Sequence, residues 1–91
     1  MEGYVYILKT SDGNRYIGST INLKRRFGEH SSGKVLSTRN KLPVTLVAYR
    51  TFTEIKEAAL WEKKYKRSHA QLERDLKKGI LILTQKDKPV G

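Results

Sequence analysis

The sequence predicts an α/β domain of the α+β kind, a small three-stranded β-sheet flanked by helices. Three observations predict it. Two short strand-like runs, residues 4–10 and 15–19, are separated by Ser11-Asp12-Gly13, a strong hairpin signal. Apolar residues then recur at helical spacing over 22–31 and again over 53–67. Between those stretches Pro43 opens a third strand, Val44-Thr45-Leu46-Val47-Ala48-Tyr49, rich in residues that suit a pleated surface.

The hairpin register follows from the length of its loop. A three-residue loop, with Gly13 taking the left-handed position, sets Leu8 opposite Tyr16 and Tyr6 opposite Gly18. Tyr6 and Tyr16 then leave the same sheet face as diagonal neighbours, about 7–8 Å apart at the backbone. Val5, Ile7 and Ile17 share the other face and supply core. A two-residue Asp12-Gly13 loop would shift parity and separate the tyrosines onto opposite faces.

Asn22 is placed to cap a helix that runs to about residue 31, with Leu23 and Phe27 on its buried side. Arg26 and His30 fall on or beside that stripe, while Lys24 and Arg25 turn toward solvent. Residues 31–41 read as an irregular loop with Gly33 as its breaker. Thr53, followed by Glu54 and Glu57, starts the next helix, whose apolar face is defined by Ile55, Ala58 and Ala59. Glu62 lies seven, four and three residues beyond those three, which puts a carboxylate in the middle of the buried stripe. An unpaired charge there is costly, so it requires a partner, and a metal ion or Arg26 would serve. Ser68 with Gln71 makes a capping-box pattern for a further helix to Lys78, closed by Gly79. The apolar run 80–83 is a strand or a packed extension; residues 1–83 form one domain and 84–91 a flexible tail.

Composition narrows the function. With no cysteine there is neither a disulfide framework nor a thiolate zinc site. No apolar run has bilayer length, and the N-terminus enters a strand-like segment with no signal-peptide pattern, so the expectation is a cytoplasmic protein without a membrane partner. Nineteen Lys and Arg against nine Asp and Glu give a formal charge of +10, a surplus that favours polyanionic partners. The basic residues are spread along the whole chain, so a basic tail does not account for them. A basic but inert surface would have the same composition.

Tyr4-Val5-Tyr6, Tyr16-Ile17-Gly18, Arg26, His30 and Glu62 together resemble the GIY-YIG nuclease superfamily, named for its two short strand motifs. The first motif has Val for Ile with Gly3 displaced by one; the second is literal. The resemblance covers residues 4 to about 66 and implies a small stand-alone GIY-YIG-like domain acting as a divalent-metal-dependent endonuclease on DNA, with RNA as an open alternative. By position, Tyr6 and Tyr16 match the paired tyrosines, one of them activating or orienting water. Arg26 matches the arginine that stabilises phosphate charge, Glu62 the glutamate that holds one divalent cation, Mg2+ or Mn2+, and His30 a histidine found in several members. Some members have a lysine three residues beyond the second tyrosine. This chain has Ser19, so an assisting ammonium is missing or comes from elsewhere.

That chemistry needs a base for water, positive charge at the phosphate and help for the leaving oxygen. A free phenol has a pKa of about 10, so a neighbouring cation or a metal-bound water has to lower it for Tyr6 to serve as base. Each residue also has a plainer reading. Tyrosines are common packing residues in strands, Gly18 permits close backbone approach, a helix-end histidine meets carbonyls, and Trp61 is packing. Lys24, Arg25, Lys63, Lys64, Lys66 and Arg67 are phosphate contacts on the functional reading and a solvated face on the other. The rival functions are a nucleic-acid-binding module on the same fold with little or no turnover, and, more weakly, a basic protein-interaction domain.

Overall fold

The computed structural model describes residues 1–84; the expected tail beyond Thr84 lies outside the described residues. The chain runs β1 (Gly3–Lys9), β2 (Arg15–Thr20), α1 (Leu23–Ser31), a 3-10 turn at Arg39–Lys41, β3 (Thr45–Phe52), α2 (Ile55–Arg67), α3 (His69–Lys77) and β4 (Ile82–Leu83). All the strands pair antiparallel in the order β2-β1-β3-β4. The sheet thus has four strands rather than the three expected. The fourth is two residues long, and periodicity cannot separate so short a run from a packed extension. Leu83 pairs with Ala48 and Ile82 with Tyr49, while Leu81 turns inward and is almost fully buried. Thr84, assigned to the tail by the sequence, still donates its backbone N–H to Val47 O at 2.9 Å.

The hairpin takes the three-residue loop. Gly13 sits at φ +85°, its N–H donates to Thr10 O, and Thr10 N–H donates to Asn14 O. Tyr6 therefore faces Gly18 and Leu8 faces Tyr16. Val5 through Leu8 are all buried, because β1 is covered on both faces. One face packs Tyr6, Leu8 and Val44 with Tyr16, Leu23, Phe27, Leu46 and Tyr49, under α1. The other packs Val5, Ile7, Ile17, Ala48 and Phe52 against Ala58 and Tyr65 of α2 and Leu72 of α3. α1 begins at its Asn22 cap, whose side chain accepts from Arg25 N–H at 3.0 Å. α2 begins one residue later than Thr53 suggested: Glu54 is at the cap position without a side-chain cap bond, and Thr53 donates to Glu57 instead.

A buried polar cluster ties α2 and α3 to β3. Tyr65 donates its hydroxyl to Asp75 at 2.6 Å and accepts from Arg50 at 2.9 Å, and Gln71 donates to the other Asp75 oxygen at 2.9 Å. Burial, reinforced by the Asp75 carboxylate and opposed by Arg50, pushes the Tyr65 phenol up to about 12. The Arg50 guanidinium lies against the rings of Phe52 and Trp61, 4.7 and 4.3 Å from their centroids. Asp75→Ala leaves a phenol and an amide without their acceptor and a guanidinium without its ion-pair partner, 3.7 Å away. We expect it to cost about 3 kcal/mol in urea unfolding; a loss under about 1 kcal/mol would mean that the cluster does not hold α3 in place.

Candidate active site

Tyr6 occupies the middle of β1, and its ring crosses Gly18 of the edge strand β2. A Cβ at position 18 would meet the Tyr6 Cζ at 2.5 Å, so only glycine lets the phenol lie there. Tyr16 is its diagonal neighbour on the same face, with ring centroids 6.3 Å apart. α1 brings His30 over both rings, 5.6 Å from Tyr6 and 5.0 Å from Tyr16. His30 is fully buried. Its Nε2 lies 2.9 Å from the Tyr6 hydroxyl and its Nδ1 2.8 Å from Thr38 Oγ1. Both ring nitrogens are thereby partnered.

One turn earlier on α1, Arg26 donates to Glu29 at 2.9 Å, and its guanidinium also lies beside the Tyr6 hydroxyl. The side chain is 37% exposed, so part of this charge faces outward. The Glu29 carboxylate, ahead of the Tyr6 hydroxyl, raises the Arg26 pKa. Burial pushes the Tyr6 phenol above its ordinary pKa, the neighbouring Tyr16 and Glu62 push the same way, and Arg26 pulls against them and loses. Tyr6 is therefore a protonated phenol at neutral pH. Burial holds His30 below its ordinary value, and Arg26 adds to the effect against the opposing Glu29, so its imidazole is neutral.

Glu62 comes from the opposite layer. α2 lies under the sheet with Ala58 and Tyr65 buried, and Glu62, four residues after the one and three before the other, falls on that stripe as expected, its side chain 21% exposed. Trp61, partly buried, packs against the same core beside it. Of the two partners expected for the carboxylate, Arg26 is not one; two other side chains reach it. Ser19 donates to Oε1 at 2.5 Å and Lys66 to Oε2 at 2.6 Å, while Arg26 is occupied by Glu29. An ammonium thus lies on the carboxylate that Ser19 also reaches, from Lys66 one helical turn beyond Glu62. Glu62 nonetheless contributes to the electrostatics at Tyr6, around the β2 edge.

The donor set fits one loosely held divalent ion. Among the described residues no group of three or more His, Cys, Asp and Glu side chains could hold a metal. A single carboxylate at a partly open rim suits Mg2+, which keeps most of its waters and borrows oxygens from a substrate phosphate. Lys66 would have to yield.

The basic candidates divide between the two layers. Lys24 and Arg25 are exposed on α1, on the tyrosine side; Lys63, Lys64, Lys66 and Arg67 are exposed on α2, on the other. Lys64 stacks over Trp61 at 4.4 Å. A cleft of about 680 Å³ opens between Tyr4, Leu23, Phe27 and Tyr49, with Lys24 in its lining and Tyr6 outside it. Sequence reasoning missed Thr38 and Glu29. Glu29 carried a signal, three residues from Arg26 on one helix; Thr38, in an irregular loop, carried none. No helix among the described residues is long and apolar enough to cross a membrane.

Comparison with known proteins gives the family. The family model described as "GIY-YIG catalytic domain" matches residues 2–78. The chain is 44% identical over 63 residues to UPF0213 protein BH0048 of Halalkalibacterium halodurans, covering 68% of this chain and 67% of that protein. It is 40% identical over 67 residues to UPF0213 protein spr1390 of Streptococcus pneumoniae, covering 72% and 68%. The solution NMR structure of the BH0048 protein superposes with a TM-score of 0.56 at 38% identity, over 88% of this chain and 87% of that one. A match that spans both strand motifs, α1 and α2, together with these relatives, establishes that the chain belongs to the GIY-YIG family, among its small UPF0213 proteins.

Proposed function

We propose that this protein is a divalent-metal-dependent endonuclease that hydrolyses phosphodiester bonds in DNA. The observation that carries the reading is the Tyr6 hydroxyl, buried over Gly18, 2.9 Å from His30 Nε2 and beside the Arg26 guanidinium, which is itself 37% exposed. The outward-facing part of Arg26 binds the scissile phosphate and takes up its developing charge. Tyr6 orients the attacking water, His30 fixes the phenol, and Tyr16 completes the wall beside them. Glu62 holds the divalent ion, which when bound supplies the positive charge that the phosphate and leaving oxygen require. Lys24 and Arg25 flank the tyrosine side, and Lys63, Lys64, Lys66 and Arg67 extend the phosphate-binding surface past the β2 edge.

Nicking of supercoiled plasmid with Mg2+ or Mn2+ tests the reading. Cleavage that requires the ion supports it; no cleavage of any DNA or RNA with either ion counts against it. A second reading, a nucleic-acid-binding module with little turnover, is favoured by the raised Tyr6 pKa and by the ammonium seated on Glu62. Both readings expect duplex affinity to fall steeply with salt, with a log-log slope reflecting several released counterions. Charge reversal at Lys63 and Lys64 should weaken binding to all sequences alike. Affinity that is flat in salt would remove nucleic acid as the partner.

A further inference from the structure

We propose that the cleft between α1, the start of β1 and β3 is a subsite for one unstacked nucleobase, which makes DNA with an unpaired nucleotide beside the scissile bond the preferred substrate. Most aromatic rings of the chain are already committed. Tyr6, Tyr65 and Phe52 are buried, Tyr16 packs on His30 at 5.0 Å, and Trp61 is covered by Arg50 and Lys64. The others, Tyr4, Phe27 and Tyr49, are all half-buried and all line this one cleft of about 680 Å³. Tyr4 and Tyr49 meet edge to face, with centroids 6.4 Å apart and planes at 62°. They form a corner in which a flat ring can stack on one and meet the edge of the other. Leu23 and Leu46 add apolar lining, and each phenol brings a hydroxyl that both donates and accepts. Among the described residues Lys24 is the one charged side chain in the lining, exposed and followed by the exposed Arg25. Aromatic surface, a few hydrogen-bonding groups and positive charge without a carboxylate suit a neutral planar ring tethered to an anion, which is a nucleotide.

The place of the cleft ties it to the chemistry. Tyr4 precedes Tyr6 by two residues on the same face of β1, about 7 Å along the strand, and Tyr49 is the register partner of Tyr6 on β3. Leu23, Phe27, Leu46 and Tyr49 pack against the cluster that contains Tyr6, so the cleft and the phenol share a wall. Arg26 comes just before Phe27 on α1 and lies beside the Tyr6 hydroxyl. A base seated in the cleft therefore keeps its own backbone close to the arginine that would bind the scissile phosphate. Inside a duplex both faces of a base are covered by its neighbours, so a base reaches the cleft only after leaving the stack. That step costs least where the nucleotide is mismatched or already unpaired. Phosphate contacts from the lysines of α2 would carry no such preference. Choice of DNA structure and general affinity thus belong to opposite layers of the protein. That the unpaired nucleotide adjoins the bond cut rests on the nuclease reading; the base subsite itself does not.

The test is binding of the full chain, in EDTA to prevent cleavage, to three fluorescein-labelled duplexes followed by anisotropy: one fully paired, one with a single-nucleotide bulge, and one with an abasic residue at the bulge. The two bulged duplexes carry the same phosphates, so counterion release cancels and the ratio of their affinities reports the base alone. The parent should bind the bulged base about fivefold to 150-fold more tightly than the abasic bulge, the range for one base stacked on aromatic side chains. Tyr4→Leu and Phe27→Leu each remove a ring while keeping apolar volume, and each should shrink that ratio severalfold with affinity for the paired duplex kept. Lys63→Glu should weaken binding to all three duplexes alike and leave the ratio intact. Equal affinity of the parent for the two bulges overturns the subsite. So does a ratio that folded Tyr4→Leu and Phe27→Leu both retain, since the base is then held elsewhere. Sedimentation of the free chain addresses a second copy as occupant: a dimer that both variants dissociate would make the cleft an interface between copies and would also overturn the proposal. If one variant fails to fold, the other decides, and the parent comparison needs neither. Salt-sensitive duplex binding with equal affinity for the two bulges would leave the nuclease reading standing without the subsite, whereas a parent that binds no DNA removes both.

Discussion

Glu62→Gln is expected to lower divalent-dependent nicking by roughly 100-fold or more, because stabilisation of phosphoryl charge by a metal ion is worth several kcal/mol. The substitution is nearly isosteric. An amide oxygen can still accept from Ser19 or from Lys66, and the side chain is partly exposed, so the fold should survive. What disappears is the carboxylate whose charge acts on Tyr6 and on which the ion is proposed to be held. The direct check is Mn2+ titration of the parent and the variant, followed by plasmid nicking at saturating ion. Equal cleavage by Glu62→Gln would show that the ion is not held there. Loss of both ion binding and cleavage, with thermal unfolding unchanged, would support the single-carboxylate site.

Tyr6→Phe is the second large effect. The ring remains, packed over Gly18 and against Tyr16, so the sheet face keeps its shape. Only the hydroxyl is lost, and with it the group that orients water. Turnover should drop by about 100-fold, within the range for a positioned acid or base. DNA affinity should barely change, since an interaction made mainly in the transition state contributes little to ground-state binding. Stability should fall by about 1–3 kcal/mol, because His30 Nε2 loses its partner inside the protein. Single-turnover rates and equilibrium binding measured on the same duplex distinguish the two. Equal weakening of binding and rate would make Tyr6 a packing residue.

Parity made much of this geometry legible beforehand. The three-residue loop at Ser11-Asp12-Gly13 decides which face every residue of β1 and β2 occupies; the sequence also allowed a two-residue loop, and the need for both tyrosines on one face selected between them. The helix α1 was equally readable, because its cap and its Leu23–Phe27 spacing are local. Glu62 keeps the place expected of it on the stripe, four residues after Ala58 and three before Tyr65. Its partner Ser19 was not readable, because a contact between separate elements leaves no period in the sequence. Thr38 was out of reach because an irregular loop has no period from which a long-range partner can be inferred. The fourth strand failed on length.

The Tyr65–Asp75–Arg50 cluster bears on where this domain can be shortened. The motif-bearing residues are all in place by Glu62, which invites the view that α3 is an appendage. Yet Asp75 and Leu72, both from α3, and Leu81 beyond it complete the layer under β1 and β3. A chain cut after α2 would leave a guanidinium and a phenol facing each other in an apolar layer open to water. The minimal autonomous unit therefore extends past every residue assigned to the chemistry, and an inactive shorter version would report on lost closure of the core rather than on a missing catalytic group.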